Sequence, residues 1–503
     1  MKNIYELFHK SYMKFPFRPY VFDQENWTYE KTFRYIKATI KLFTEKKIKP
    51  NDKVVIYMEN TIEYIILYFA ILYKGAIVIP VSPANSVENI TEILEDCQPQ
   101  FVITFPHLLK KIEEAKGADK FLIISFSINS LIEEDYENIP QMKTGKLAMI
   151  IYTSGTTSKP KGVMLTHKNL IENTFSILDY LHLTHTDSIL AIMSFTYSYG
   201  NSVMLTHTKV GAMLYLYKAI YPQNILKMLQ NGQFTGFSTV GSYLNVLLKQ
   251  ENFSEETFKN INYITLAGEQ TSKKDLMKLY TTNKNLKIFV MYGQTEASAR
   301  LTFLPPSMLC EKLGSVGKAI KNVTIKIIND NGEEVSNSDE GEICAKGMNI
   351  MQGYLNNPIE TDLVLKEGWL HTGDIGYKDS EGYLYITGRK KDIIKYRGYR
   401  ISPTEIENII NSYEGILESA VTESQNEDMN EIIAAIVRKP DMLSFDFKLL
   451  CHKLKESLPR YKIPKKFFVV KEIPKTSNGK IKRKELKKIL LKIKEKDIYY
   501  YDI

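Results

Sequence analysis

The chain has 503 residues, with 66 lysines and arginines against 58 aspartates and glutamates, for a formal net charge of +8. At 44% hydrophobic and 25% charged residues it has the composition of a soluble globular protein, which excludes disordered and fibrous classes. Its length exceeds what one hydrophobic core supports, so two to four domains are expected. The long apolar stretch at residues 64–73 is too short to span a bilayer. The opening Met1-Lys2-Asn3-Ile4-Tyr5-Glu6 lacks a signal peptide's apolar segment and cleavage site, so a cytoplasmic location is expected. Cys97, Cys310, Cys344 and Cys451 are too far apart to form a clustered metal site or a redox pair, and read as reduced structural thiols. The positive charge suits anionic partners such as nucleotides, coenzyme A or an acidic carrier protein, and no nucleic-acid-binding motif accompanies it.

Taken in order, residues 29–43 carry a helical pattern. Residues 54–81 read strand, helix, strand, and short apolar clusters follow at 101–105 and 121–124. Residues 147–151 read as a buried strand. The segment Tyr152-Thr153-Ser154-Gly155-Thr156-Thr157-Ser158-Lys159-Pro160-Lys161-Gly162-Val163 follows it, and a strand end and a helix start come next at 164–170. Such a loop can aim N–H groups, hydroxyls and ammonium groups at one anion, although composition alone fits an ordinary surface loop equally well. It lacks the Gly-Lys-Ser/Thr ending of a Walker loop. Strands are then expected at 188–192, 211–216, 234–238, 264–268 and 288–293, with helices starting at 201 and 220. Alternating strands and helices imply parallel sheets covered on both faces, with ligands gathering at the strands' carboxyl ends.

After about residue 310 the pattern turns β-rich. Residues 323–328 and 341–347 alternate around the turn Asp330-Asn331-Gly332, and Ile375-Gly376-Tyr377 pairs with Tyr383-Leu384-Tyr385-Ile386 in a second hairpin. Gly388-Arg389-Lys390-Lys391-Asp392 suits an exposed linker. A small α+β region follows, ending in a basic helix at 481–494. The expected fold is α/β with a β-rich subdomain. It comprises a large N-terminal domain over 1–389 (β-rich at about 311–388) and a small α+β C-terminal domain over 390–503.

Five motifs stand in one order: residues 152–162; Tyr292-Gly293-Gln294-Thr295-Glu296; Gly353-Tyr354 with Trp369-Leu370-His371-Thr372-Gly373-Asp374; Gly388-Arg389 through Lys395-Tyr396-Arg397-Gly398; and Pro474-Lys475-Thr476-Ser477-Asn478-Gly479-Lys480. Through them nearly the whole chain resembles the adenylate-forming (AMP-binding) superfamily, in its acyl- or aryl-coenzyme A ligase branch or its stand-alone carrier-protein ligase branch. The resemblance implies an adenylating N-terminal domain, a mobile C-terminal domain turning about a hinge near 391, and two half-reactions. A carboxylate attacks the α-phosphate of ATP, giving an acyl-adenylate and pyrophosphate, and a thiol then takes the acyl group and releases AMP.

The resemblance also implies roles for individual residues. Thr153, Ser154, Gly155, Thr156, Thr157 and Lys161 would cradle the β- and γ-phosphates. Thr295 would touch the α-phosphate, and Glu296 would hold Mg²⁺, a hard cation that prefers oxygen. Glu296 also reads as a carboxylate favoured at a helix start. Tyr292 and Gly293 would flank adenine, with Gly268, Glu269 and Gln270 along its edge and Ile386 among the nucleotide contacts. The wording Ala267-Gly268-Glu269-Gln270 departs from the family's commoner Gly-Gly-small-Pro. Asp374 would accept from the ribose hydroxyls, with Arg389 adding a donor. Lys480 would bridge carboxylate and α-phosphate during adenylation. Lys391 holds the hinge position, and Lys395 and Gly398 would face the site in the thioester-forming pose, the glycine leaving room for a pantetheine arm.

The acyl pocket is expected around Tyr197, Ser198, Gly200, Ser238, Thr239 and Ala267. No aspartate stands between Phe195 and Gly200 to pair with an α-ammonium, so an amino acid is disfavoured as substrate. Tyr197 and Tyr199 suit an aryl or hydroxylated acid, and read equally as satisfied core tyrosines. Coenzyme A is the expected acceptor, with the phosphopantetheine of a separate carrier protein as the alternative. A stand-alone amino-acid-activating enzyme and a non-catalytic acyl-adenylate-binding protein rank below both.

Overall fold

The computed structural model describes residues 1–131, 146–153, 159–217, 221–396, 399–425, 430–439, 446–475, 481–490, 492–493 and 498–500. These fall into two compact units. The first comprises Met1–Thr153, Lys159–Ile325 and Ala345–His371, and the second chiefly Lys326–Cys344 and Thr372–Ile503.

The first unit holds two large sheets. A seven-stranded sheet runs in the order Gly353–Tyr354, Lys161–Thr166, Leu147–Thr153, Ile77–Val81, Lys53–Tyr57, Phe101–Thr104, Leu122–Ser125. Its inner strands are apolar on both faces, as parallel strands between helix layers must be. The helix Ile62–Tyr73 is buried at every residue but Glu63, which accounts for the apolar run there. Among the described residues no helix is long and apolar enough to cross a membrane. Leu147–Thr153 and Lys161–Thr166 pair antiparallel, with Thr153 opposite Lys161. The connection between them is too short for the crossover that parallel strands need.

The second sheet has nine strands, in the order Lys318–Ala319, Thr302–Leu304, Lys287–Tyr292, Tyr263–Leu266, Gly236–Thr239, Ser188–Ala191, Met213–Leu216, Pro19–Asp23, Glu25–Thr28. Its central strands are parallel, with Thr239 opposite Leu266 and Leu266 opposite Val290. This register brings Thr239, Ala267 and Tyr292 to one carboxyl-end edge of the sheet, where open parallel sheets present their ligands.

The helix expected from 201 starts earlier, at Ser198. Gly200 allows this, because a side chain there would run into the Ser194 carbonyl.

In the second unit, Trp369–Lys378 continues from the first unit and pairs antiparallel with Leu384–Arg389. Gly388 and Arg389 therefore end a strand, and Lys390–Asp392 forms a 3₁₀ turn. A four-stranded sheet follows, in the order Ile416–Gln425, Asn430–Arg438, Lys466–Val469, Ile498–Tyr500. The helices Pro403–Asn411 and Phe447–Ser457 pack their apolar stripes against it through Ile406, Ile410, Leu450 and Leu454. The basic helix is shorter than expected, at Arg483–Leu490, and the last strand was not foreseen.

Candidate active site

The buried strand Lys287–Tyr292 runs into Gly293, where a side chain would collide with the Ala299 carbonyl. Beyond it the chain folds back in a tight loop. Gln294 leads into the 3₁₀ turn Thr295–Ala297, Ser298 takes a left-handed φ of 56°, and Ala299 has a φ of 107°. An alanine in that region is strained and persists only where its surroundings over-determine it. They do so here. Leu301 N–H returns to the Tyr292 carbonyl at 2.8 Å and Met351 N–H reaches the Glu296 carbonyl at 2.8 Å. Asn349 Nδ2 donates to the carbonyls of Ala297 and Arg300 at 3.1 and 2.8 Å, and Ser298 Oγ donates to the Asn349 carbonyl at 2.7 Å. Asn173 Nδ2 adds a further bond to the Arg300 carbonyl at 3.2 Å.

The loop presents Thr295 and Glu296. Thr295 Oγ1 lies 3.2 Å from Ser198 Oγ, so the expected α-phosphate contact and one expected acyl-pocket residue are neighbours. Glu296 Oε1 accepts from Tyr354 O–H at 2.8 Å. Its other carboxylate oxygen accepts no hydrogen bond among the described residues. Burial pushes the Tyr354 phenol well above its ordinary range, and the Glu296 and Glu360 carboxylates add to the shift, so Tyr354 remains a donor. Lys161 Nζ sits 2.6 Å from Glu360 Oε2 and 5.3 Å from the Tyr354 ring centre.

This arrangement fits a phosphate-bound Mg²⁺. Among the described residues no cluster of three or more His, Cys, Asp or Glu could hold a metal by itself. Mg²⁺ commonly takes one or two carboxylates and completes its shell with phosphate and water. Two buried atoms beside the sheet edge, Thr239 Oγ1 and Gln294 Nε2, lack a hydrogen-bond partner among the described residues. Leaving each unsatisfied costs about 1–3 kcal/mol, which a polar ligand there would offset.

The other expected contacts fall as follows. Tyr292 is buried at the strand end, and Gly268, at φ 87°, makes the turn after Tyr263–Leu266. Ala267 is buried and its N–H meets the Thr239 carbonyl at 3.4 Å. Glu269 Oε2 accepts from Ser242 N–H at 3.0 Å, so its carboxylate caps the helix Gly241–Leu248. Tyr197 precedes its helix half-buried, whereas Tyr199 is buried and bonds Thr265 through its hydroxyl, at 2.8 Å to the carbonyl and 2.9 Å to Oγ1. Tyr199 is thus the satisfied core tyrosine of the pair. Ser238 Oγ lies 2.7 Å from Thr265 Oγ1.

In the second unit, Asp374 is buried. Its backbone N–H donates to Thr372 Oγ1 at 3.1 Å, and Arg389 Nε stands 3.0 Å from its Oδ1. The two residues face each other across the hairpin, and Ile386 pairs with Gly376 beside them. Lys391 lies in the 3₁₀ turn, and Lys395 in a short strand opposite Arg400. Ser154, Gly155, Thr156, Thr157, Gly398 and Lys480 lie outside the described residues.

Sequence reasoning did not find Tyr354's bond to Glu296, the Asn173 and Asn349 pins, Glu360 or Arg300. Of these only Tyr354 carried a signal, through its place in the Gly353-Tyr354 motif.

The AMP-binding enzyme family matches residues 8–355, and the AMP-binding enzyme C-terminal domain matches residues 405–480. The 2-succinylbenzoate–CoA ligase of Listeria monocytogenes serotype 4b is 32% identical over 466 residues, covering 91% of this chain and 94% of its own. The o-succinylbenzoate CoA synthetase of Bacillus subtilis in complex with its acyl-adenylate intermediate superposes with a TM-score of 0.86 at 27% identity, over 97% of this chain and 98% of its own. The same enzyme in complex with ATP and magnesium ion gives 0.85 at 27%, over 96% and 99%. With both parts of the family matched and a relative of this identity spanning nearly the whole length, the chain belongs to the AMP-binding enzyme family and is an AMP-forming acid–thiol ligase.

Proposed function

We propose that the protein activates a small carboxylic acid with ATP and passes the acyl group to coenzyme A. The observation that carries this reading is Glu296. It is a half-satisfied carboxylate, fixed on a pinned loop beside the Thr295 and Ser198 hydroxyls at the carboxyl edge of a parallel sheet.

In the first step a carboxylate oxygen of the acid bonds to the α-phosphorus while the bond to the bridging oxygen breaks, and pyrophosphate leaves. Thr295 donates to the α-phosphate. Lys161, released from Glu360, joins the Thr153–Thr157 hydroxyls and N–H groups on the departing phosphates. Glu296 would hold Mg²⁺, which would neutralise phosphate charge. Tyr292 packs on adenine, and Asp374, oriented by Arg389, accepts from the ribose. Lys480 spans the two reacting anions. In the second step the thiol sulfur bonds to the acyl carbon, the carbon–oxygen bond to AMP breaks, and the thiol proton goes to solvent. We assign the change of pose between steps to a hinge near Lys391, dividing 1–389 from 390–503, and place Lys395 and Gly398 along the pantetheine path.

The test is ATP–pyrophosphate exchange over an acid panel headed by 2-succinylbenzoate, the acid named for the Listeria relative, followed by a search for AMP and an acyl-coenzyme A thioester. Exchange with thioester formation is expected. Exchange without transfer to coenzyme A would move the acceptor to a carrier protein, read as a mass gain on that carrier. Absence of exchange with every acid would reject the reading.

A further inference from the structure

Arg300, five residues after Thr295, is 3% exposed. Its Nη1 donates to the Ala299 carbonyl at 3.2 Å, its Nη2 approaches Ser202 Oγ at 3.5 Å, and its Nε has no partner among the described residues. The guanidinium lies 4.8 Å from the centre of the Tyr199 ring. Among the described residues no carboxylate stands within ion-pair distance of it. A guanidinium keeps its charge in proteins, and burying such a charge unpaired is costly. Buried arginine is normally matched by an anion.

The surrounding groups do not supply one. Arg300 lines a cavity of about 10 Å³ together with Ser202, His207, Ser238, Tyr263 and Thr265. That volume accepts one water-sized group. His207 Nδ1 donates to the Val203 carbonyl at 2.8 Å, which leaves Nε2 to accept from Tyr263 O–H at 2.8 Å. This tautomer makes the imidazole neutral, and burial accordingly pulls its pKa down to about 4. Burial likewise raises the Tyr199 and Tyr180 phenols, so neither is an anion. The cavity thus holds one fixed positive charge among hydroxyls, a neutral imidazole and the aliphatic side chains of Ile177, Leu181 and Val203. It also adjoins the expected acyl wall. Ser238 belongs to both, and Ser202 follows Ser198 by one helical turn, about 6 Å along the axis.

We infer that Arg300 is a specificity-determining residue that selects acids carrying a second, distal carboxylate, one oxygen of which enters this cavity while the reacting carboxylate meets the α-phosphorus near Thr295. This rests on the acid-activating function proposed above. A site built around a buried charge rejects a ligand that leaves the charge unmatched far more strongly than a plain apolar pocket rejects a shorter chain.

The test compares matched pairs of acids that differ only at the far end: carboxylate, primary amide, hydroxyl or methyl. ATP–pyrophosphate exchange is measured for the wild type, R300K and R300M. In the wild type, kcat/KM should favour the dicarboxylate over its methyl and hydroxyl counterparts by at least about 100-fold. R300M should bring that ratio below about 10-fold, chiefly through KM, and R300K should restore part of it. A wild type that uses the methyl or hydroxyl acid as well as the dicarboxylate would overturn the inference, as would a folded R300M that keeps the preference. If R300M fails to fold, the wild-type ratio and R300K decide. If no acid of any series supports exchange, the proposed activity itself fails, and the inference falls with it.

Discussion

Glu296 and Glu407 are both partly or wholly buried glutamates, each held by a side chain distant in sequence, yet their surroundings differ. Glu407 is saturated. Its Oε1 accepts from Val421 N–H at 2.7 Å and from Arg483 Nη1 at 2.5 Å, and its Oε2 accepts from Arg483 Nη2 at 3.1 Å. Arg483 also donates to the Val421 carbonyl at 2.7 Å, which closes the network. Burial works against the Arg483 charge, but Glu407 and Asp392 more than offset it, leaving the guanidinium pKa raised. Glu296 has one hydrogen bond to one oxygen, on a loop whose backbone is pinned from several sides. A saturated carboxylate has no capacity left for a ligand, whereas a half-satisfied one on a rigid loop is built to accept one. Charge and burial alone would not separate the two, but the count of filled acceptor positions does.

The largest expected effect tests the saturated member. Glu407→Ala leaves a buried guanidinium unpaired and should cost about 3–5 kcal/mol, read as a lowered first transition in calorimetry of the full chain. The double replacement Glu407→Leu with Arg483→Met should recover most of that loss, because it removes the charge together with its partner. A double variant as unstable as the single one would show that the network does more than satisfy itself.

Next comes the open member. Glu296→Gln should lower ATP–pyrophosphate exchange by at least about 100-fold while leaving thermal stability nearly unchanged. A loss of stability matching that of Glu407→Ala would erase the distinction between the two glutamates. Tyr354→Phe removes the single bond to Glu296 and should reduce exchange by about 5- to 10-fold, mostly as a higher Mg²⁺ requirement, in line with a bond worth about 1–1.5 kcal/mol. Lys161→Ala should cost exchange rather than stability, because its pair with Glu360 is partly solvent-exposed and contributes at most about 1 kcal/mol to the fold.

The smallest effect at working pH concerns His207 and His167, whose pKa values burial pulls down to about 4 from an ordinary 6.5. The unfolded chain binds more protons than the folded one between those values. Stability is therefore at its full level above pH 6.5, declines as pH falls from 6.5 toward 4, and levels off below that. Equilibrium unfolding at pH 7 and pH 8 should give nearly the same stability, with a clear loss by pH 5.

Much of the first unit was legible from local pattern. A buried strand ending in glycine located Thr295 and Glu296, and the register of parallel strands then brought Thr239 and Ala267 to the same edge. What was not legible depends on pairings between distant positions. Tyr354 meets Glu296 across 58 positions and Lys161 meets Glu360 across 199, and no periodicity encodes such meetings. Glu269 meets Ser242 N–H across 27 positions, a bond that fills one of its carboxylate oxygens and that no local pattern announces. Arg300 reads as one more basic residue in a lysine-heavy chain until its burial and its missing partner are known. In the second unit, the strand Ile498–Tyr500 was hidden because its neighbour, Lys466–Val469, lies far from it along the chain.

The strained alanine at position 299 sets stability against activity at a single methyl group. Glycine there would relieve the backbone and at the same time release the loop into many more shapes. The strain is local, but it fixes the direction of two neighbours on either side, Glu296 and Arg300. Selection for a tougher fold would therefore tend to loosen both the seat for Mg²⁺ and the hold on the far end of the acid.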